Sequence, residues 1–246
     1  MFTEAPIGTS LKEIDAFLGE IKPDWRVQVA EQFHFMPRNA AIKSVIESGI
    51  LGETTQVQLS CCHDYHATSL IRFFLGTGDE MPEGFSFSQS DTVTRYNSRG
   101  GLLKKPQTVT AEEKFAFFKF KDKTAVYDFN YEQYFSDIRR SRILIRGTNG
   151  EILNNECTYL KNGLPRSFKL QRNLYGANES LDGFTLVNIT AEGNVVYENP
   201  FKSSRLSDEE IAIAMCLLNM KKYLETGTPF YTLEDAATDS KIFLSV

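Results

Sequence analysis

The 246-residue sequence contains no G-x-G-x-x-G turn between a strand and a helix, so the usual seat of a dinucleotide pyrophosphate is missing from it. Gly76-Thr77-Gly78-Asp79 is the nearest approach, but it follows a helical stripe, as a loop beyond a helix C-cap does. No apolar run approaches the ~20 residues of a membrane helix. Met1-Phe2-Thr3-Glu4 lacks the basic and apolar regions of a signal peptide. Basic residues are in the minority, 27 Lys and Arg against 32 Asp and Glu, and the net charge of -5 argues against nucleic acid as a partner. Cysteine is scarce. Cys61 and Cys62 are adjacent and cannot easily pair, and with Cys157 and Cys216 they fit reduced thiols in a cytoplasmic protein better than a disulfide scaffold. Asn178 and Asn188 begin glycosylation-type triplets that carry no weight without a secretion signal.

What is present is an ordinary balance for a globular domain, 41% hydrophobic and 24% charged, in a chain long enough for one large core. The most informative stretch runs from Val27 to Gly76. Val27 to Phe33 alternates like a half-buried strand. Pro37 then opens a helix with Ala41, Ile42, Val45 and Ile46 on its apolar face, and Gly49 stops it. Thr55 to Ser60 alternates again and runs into Cys61-Cys62-His63-Asp64-Tyr65-His66. Leu70, Ile71 and Phe74 form a second helical stripe that ends at Gly76. His66 therefore stands where a strand hands over to a helix, a good place for an imidazole to meet a small molecule.

Helices are expected at both ends of the chain. Ser10 and Glu13 read as a capping box before Leu11, Ile14, Phe17 and Leu18, and Ser207 and Glu210 as a second before a long helix. A last helix runs from Leu233 to about Leu244. From Phe85 to Pro200 the pattern has period two, broken by turns such as Lys161-Asn162-Gly163 and Glu192-Gly193-Asn194. The expected fold is α+β: a large, open, mostly antiparallel sheet with helices on one face. With 19 Phe and 10 Tyr, many of them in strands, the other face is expected to be an apolar interface.

The central run resembles the start of the C-terminal domain of the glucose-fructose oxidoreductase / inositol dehydrogenase (Gfo/Idh/MocA) family. That pattern is a strand, a Pro-led helix ending in G-x-[IL]-G-x, a strand, and a His ahead of an [LF]-G helix stop. Here it reads Pro37, then Gly49-Ile50-Leu51-Gly52-Glu53, then His66 and Leu75-Gly76. Glu4-Ala5-Pro6 stands at the family's Glu-Lys-Pro signature, and the segments opened by Ser207 and by Thr226-Gly227-Thr228-Pro229 are similar too. The resemblance implies a dihydrodipicolinate-reductase-like domain without its nucleotide-binding partner. Residues 1–24 would be a junction remnant, and residues 25–246 a substrate-binding and oligomerisation domain.

The activity so implied is NAD- or NADP-dependent oxidation or reduction of a sugar, cyclitol or related polyol, with neither cofactor bound by this chain alone. The chain would form a homodimer or higher homo-oligomer through the sheet face. Such chemistry needs a group that takes the hydroxyl proton. By resemblance, the family supplies a Lys from Glu-Lys-Pro, an acidic residue four positions before the His, and the His. Here Ala5 stands at the first, Cys62 at the second, and His66 is retained. Asp64 and Tyr65 are candidate substitutes, and Glu4 and Pro6 would keep the cofactor-side signature. His63, Arg38 and Tyr231 are candidate substrate contacts, with Arg72 and Arg95 as further cations. Neighbours on a strand point to opposite faces, so Cys61 and His63 are not expected to share an ion with Cys62, and no metal is expected. The rival reading, from Ala5 and Cys62, is a non-catalytic binding or assembly module.

Overall fold

The computed structural model describes residues 1–175 and 184–246; the triplet at Asn178 lies outside them. The chain opens with strand β1 (Phe2–Glu4), helix α1 (Leu11–Glu20) and strand β2 (Gln28–Ala30), and β1 and β2 pair in parallel. Ser10 caps α1 by accepting from the Glu13 N–H at 3.3 Å. Glu13 does not close the expected box on Ser10. Its carboxylate takes the N–H and hydroxyl of Thr9 at 2.8 and 2.7 Å, one residue further out. The expected strand from Val27 to Phe33 stops at Ala30, because Glu31 accepts from the Phe33 N–H and turns Gln32–Phe35 into a 3₁₀ coil. Nor does β2 alternate, since Gln28, Val29 and Ala30 are all buried.

Helix α2 (Pro37–Glu47), strand β3 (Thr54–Ser60) and helix α3 (Asp64–Leu75) follow in the order read from the sequence. Gly76, at φ +67°, ends α3 in the left-handed conformation that glycine tolerates best. Two long strands come next, β4 (Glu83–Arg95) and β5 (Gln107–Lys119), then β6 (Thr124–Asn130) and a 3₁₀ coil over Tyr131–Phe135. Four short strands continue: β7 (Arg142–Gly147), β8 (Gly150–Leu153), β9 (Glu156–Lys161) and β10 (Leu164–Lys169). The β9–β10 turn has positive φ at both Asn162 and Gly163, which matches the right-handed twist of its strands.

These elements form an eight-stranded sheet in the order β10-β9-β8-β7-β3-β6-β5-β4. Every pairing is antiparallel except β3 with β6. The fold is α+β, as expected. The later hairpins do not extend this sheet. Strands β11 (Gln171–Tyr175), β12 (Thr185–Ala191) and β13 (Asn194–Glu198) make a separate three-stranded one. Helices α4 (Asp208–Thr226) and α5 (Leu233–Leu244) end the chain, each with a complete capping box, Ser207 with Glu210 and Thr232 with Asp235.

The strands divide their side chains cleanly. Val57, Leu59, Ala116, Phe118, Tyr127, Ile143 and Ile145 pack in one core with Ile42 and Val45 of α2 and with Leu70 and Phe74 of α3. A second, smaller core joins Val27 and Val29 to Tyr231, Leu233 and Ala236, with Phe17 and Leu18 of α1 packed against it. On the opposite face of the large sheet, phenylalanines of β4 and β5 are exposed. Phe85 stacks on Phe117 at 5.0 Å and Phe87 on Phe115 at 4.9 Å, with Phe85 59% exposed.

A buried polar network ties α3 to α5. Arg72 donates to Asp239 at 2.7 Å, the Tyr231 hydroxyl donates to the same carboxylate, and Tyr231 also reaches Ser69. Burial pushes Asp239 up to about 7 against the opposing pull of Arg72. A carboxyl whose folded value is raised holds its proton longer in the native state than in the unfolded one. Its contribution therefore weakens as pH rises from about 4 to 7, by at most about 1.4 kcal/mol per unit. Urea midpoints measured across that range should fall with pH, and Asp239→Asn should flatten the slope. An unchanged slope in the variant would assign it to other groups.

Candidate functional site

Strand β3 ends at Ser60, and the next three residues turn the chain into α3. His63 occupies the N-cap position without capping through its side chain. Asp64 follows at φ +48°, a conformation that costs energy for a residue with a Cβ and tends to occur at functional sites. Two tyrosines hold this turn by its backbone. The Asp64 N–H donates to the Tyr127 hydroxyl and the His63 N–H to that of Tyr134, both at 3.2 Å. The Tyr134 oxygen also lies 3.0 Å from His63 Nδ1, and the Tyr131 hydroxyl donates to the Asp64 carboxylate at 3.0 Å. Burial raises the pKa of Tyr127, Tyr131 and Tyr134 alike, so these phenols stay protonated. His63 moves the other way, lowered first by burial and then by its neighbour His66.

His66 sits in the first turn of α3 and is buried, with its Nδ1 2.7 Å from a carboxylate oxygen of Glu31. Glu31 is itself 1% exposed, and its other oxygen takes the Phe33 N–H. A carboxylate only accepts, so Nδ1 presents its proton to Glu31, and Nε2 is the nitrogen that can take up or release a proton. Among the described residues, the hydrogen bond that the ring makes is the one at Nδ1. The ring is wedged between Phe33 at 4.6 Å and Tyr65 at 4.4 Å. A buried carboxylate behind an imidazole is how a protein fixes both the tautomer and the aim of an acid/base.

The structure brings His63, Asp64, Tyr65 and His66 together. The alternation argument for His63 does not apply, because the strand has ended: its ring lies 5.0 Å from that of His66, edge to face. For the same reason the sulfurs of Cys61 and Cys62 are neighbours, 3.8 Å apart, instead of facing opposite ways. Glu4 is in register with Ala30, one residue before Glu31, and Ala5 packs against the smaller core of Val27, Val29 and Tyr231. Tyr231 is elsewhere, its hydroxyl taken up by Asp239 and Ser69. Arg72 belongs to that same network, and Arg95 pairs with Glu132. Arg38 lines a cavity of about 720 Å³, which Tyr134 and Cys61 border on the histidine side. Glu31, Tyr131 and Tyr134 were not singled out from the sequence. The available signal for Glu31 was one carboxylate directly after an apolar strand.

No known protein-family profile matches the chain, and no curated protein matches it in sequence. Solved structures do match. An oxidoreductase from Agrobacterium radiobacter, in complex with NAD+, L-tartaric acid and magnesium, aligns with 98% of this chain and 68% of its own at TM-score 0.60 and 15% identity. A candidate myo-inositol dehydrogenase from Sinorhizobium meliloti aligns with 98% of this chain and 68% of its own, at TM-score 0.55 and 16% identity. The transcriptional regulator Gal80p from Kluyveromyces lactis aligns with 100% of this chain and 66% of its own, at TM-score 0.59 and 9% identity. At such identities the likeness is one of fold. The fold is that of the C-terminal domain of Gfo/Idh/MocA-type oxidoreductases, and the chain spans about two thirds of the length of these structures.

Proposed function

We propose that this chain is the substrate-binding and assembly part of an NAD(P)-dependent oxidoreductase acting on a sugar, cyclitol or related polyol. His66 is its acid/base, and the protein is cytoplasmic. The observation that carries this reading is the 2.7 Å contact between the buried Glu31 carboxylate and His66 Nδ1, which leaves Nε2 to take a substrate hydroxyl proton. Residues 1–24 are then the junction with a nucleotide-binding domain, and residues 25–246 the substrate domain.

The connection between β1 and α1 does not offer a dinucleotide a phosphate seat. The single glycine between β1 and α1 is Gly8, where a Cβ would meet Ile14 at 2.9 Å, so it serves helix packing and not a phosphate. The Glu13 carboxylate occupies the N-terminus of that helix, where it opposes a pyrophosphate. On this reading the cofactor is held by residues outside this chain. The test is NAD(P)-linked oxidation of a polyol panel by this chain joined to a nucleotide-binding domain. Activity on a polyol supports the enzyme, and inactivity across the panel favours the module described next.

A specific observation supports the second reading, a non-catalytic binding or assembly module. Ala5 and the fully buried Cys62 stand where the resembled family has its lysine and acid, and a transcriptional regulator shares the fold.

Under either reading the exposed phenylalanine face supports self-association, most simply as a symmetric pair. Light scattering should show a dimer or larger species for the parent. The double substitution Phe85→Glu and Phe117→Glu, which puts charge into the stacked pair, should yield a monomer. A parent that stays monomeric at micromolar concentration removes this interface.

A further inference from the structure

We infer that the cavity beside the histidine cluster takes a carboxylate-bearing polyol, a sugar acid, whose carboxylate docks on Arg38 and Arg140. This names the substrate class of the proposed function and rests on that reading only for the chemistry that follows binding. The cavity is lined by four arginines and two aspartates, a local excess of positive charge in a chain of net charge -5. Two of the four are already engaged. Arg172 forks onto Asp208 at 2.7 and 2.8 Å, and Arg139 pairs with Asp91. The other aspartate, Asp137, accepts from the Tyr96 hydroxyl.

Arg38 and Arg140 have no carboxylate partner among the described residues. Among the described residues Arg38 donates to the neutral side chain of Asn154, at 2.9 Å, and that same oxygen also takes the Ile143 N–H at 3.0 Å. The remaining guanidinium donors therefore have room for an acceptor in the cavity. Burial lowers the pKa of Arg38, so its charge is poorly solvated where it stands. A poorly solvated guanidinium gains most from a planar anion that accepts from two of its donors at once. Arg38 is also rigidly placed as the second residue of α2, behind Pro37, at a helix start with no side-chain cap. The helix dipole there adds to the attraction for negative charge. Ser141 and Asn155, also on the lining, are neutral partners for hydroxyls. Tyr134 borders the cavity and contacts His63, so a ligand anchored at Arg38 extends toward the histidine cluster.

The experiment is calorimetric titration of the 246-residue chain with D-glucuronate, D-glucose and inorganic phosphate at fixed ionic strength. Glucuronate should bind, glucose should bind at least about tenfold more weakly, and Arg38→Gln should cut glucuronate affinity by about 10- to 100-fold. Equal affinities for the two sugars, no heat from glucuronate at millimolar concentration, or unaltered glucuronate binding by a folded Arg38→Gln chain would each overturn the proposal. Phosphate binding as tightly as glucuronate would reduce the site to an unspecific anion patch and overturn it as well. The comparison of the two sugars uses the parent chain, so it decides the matter even where Arg38→Gln fails to fold. Binding is read without turnover, so the two ideas fail separately. A chain that binds glucuronate and shows no NAD(P)-linked activity loses the enzymatic reading and keeps this site. One that oxidises neutral polyols without preferring the acid loses this site and keeps the enzyme.

Discussion

His66→Ala is expected to lower the stability of the protein by about 3–5 kcal/mol, a large effect for one imidazole at the start of a helix. An exposed imidazole at a sheet edge would contribute little to the core, and its removal would hardly affect folding. His66 is not exposed. His66 and Glu31 are both buried and face each other at 2.7 Å. Deleting the imidazole strands the Glu31 carboxylate in the interior with the Phe33 N–H as its remaining donor. An uncompensated buried charge is what makes such a deletion costly. The double variant His66→Ala with Glu31→Leu removes both partners and should recover part of the loss, which a double-mutant cycle reads directly. Urea unfolding with unchanged m-values is the measurement. A His66→Ala midpoint close to that of the parent would show that the pair contributes nothing to stability and that Glu31 finds water instead.

Much of this site was legible in the sequence, because its main feature is local. The order of β3, the Cys61-to-His66 turn and α3 is contiguous, so alternation, apolar stripe and Gly76 sufficed to set His66 at a strand-to-helix junction. The Ser207 capping box could be read for the same reason, since cap and partner lie three residues apart. Glu31 could not be paired in advance. It lies 35 residues before His66, and only the packing of the Gln32–Phe35 coil against α3 brings them together. Tyr134 is 71 residues beyond His63. The side-chain directions of Cys61, Cys62 and His63 were misjudged because alternation was carried past Ser60, where the ladder had already ended. The three-stranded sheet was merged with the large one on the same grounds, since periodicity reports a strand but not its partner.

In the chain joined to a nucleotide-binding domain, His66→Asn is expected to lower turnover by about 10²–10⁴-fold, the usual worth of a positioned proton-transfer group. Asparagine is the informative choice because its amide nitrogen falls about where Nδ1 was. It can still donate to Glu31, so the buried carboxylate keeps a partner while the basic Nε2 is lost. Stability and circular dichroism should therefore stay near the parent, and the loss should appear in kcat more than in KM. Glu31→Gln tests positioning. An amide in place of the carboxylate no longer enforces the Nδ1–H tautomer, so the rate should fall by a smaller factor and the pH profile of kcat/KM should move. Ala5→Lys restores the residue type that the resembled family carries in this signature, on the strand end where Glu4 is in register with the residue before Glu31. It should raise the rate where the resembled mechanism operates and leave it unchanged where the lineage has abandoned that mechanism. Equal turnover by the parent and a well-folded His66→Asn protein would remove His66 from the chemistry. The Glu31–His66 pair would then be a structural element, and the binding-module reading would account for both Ala5 and Cys62.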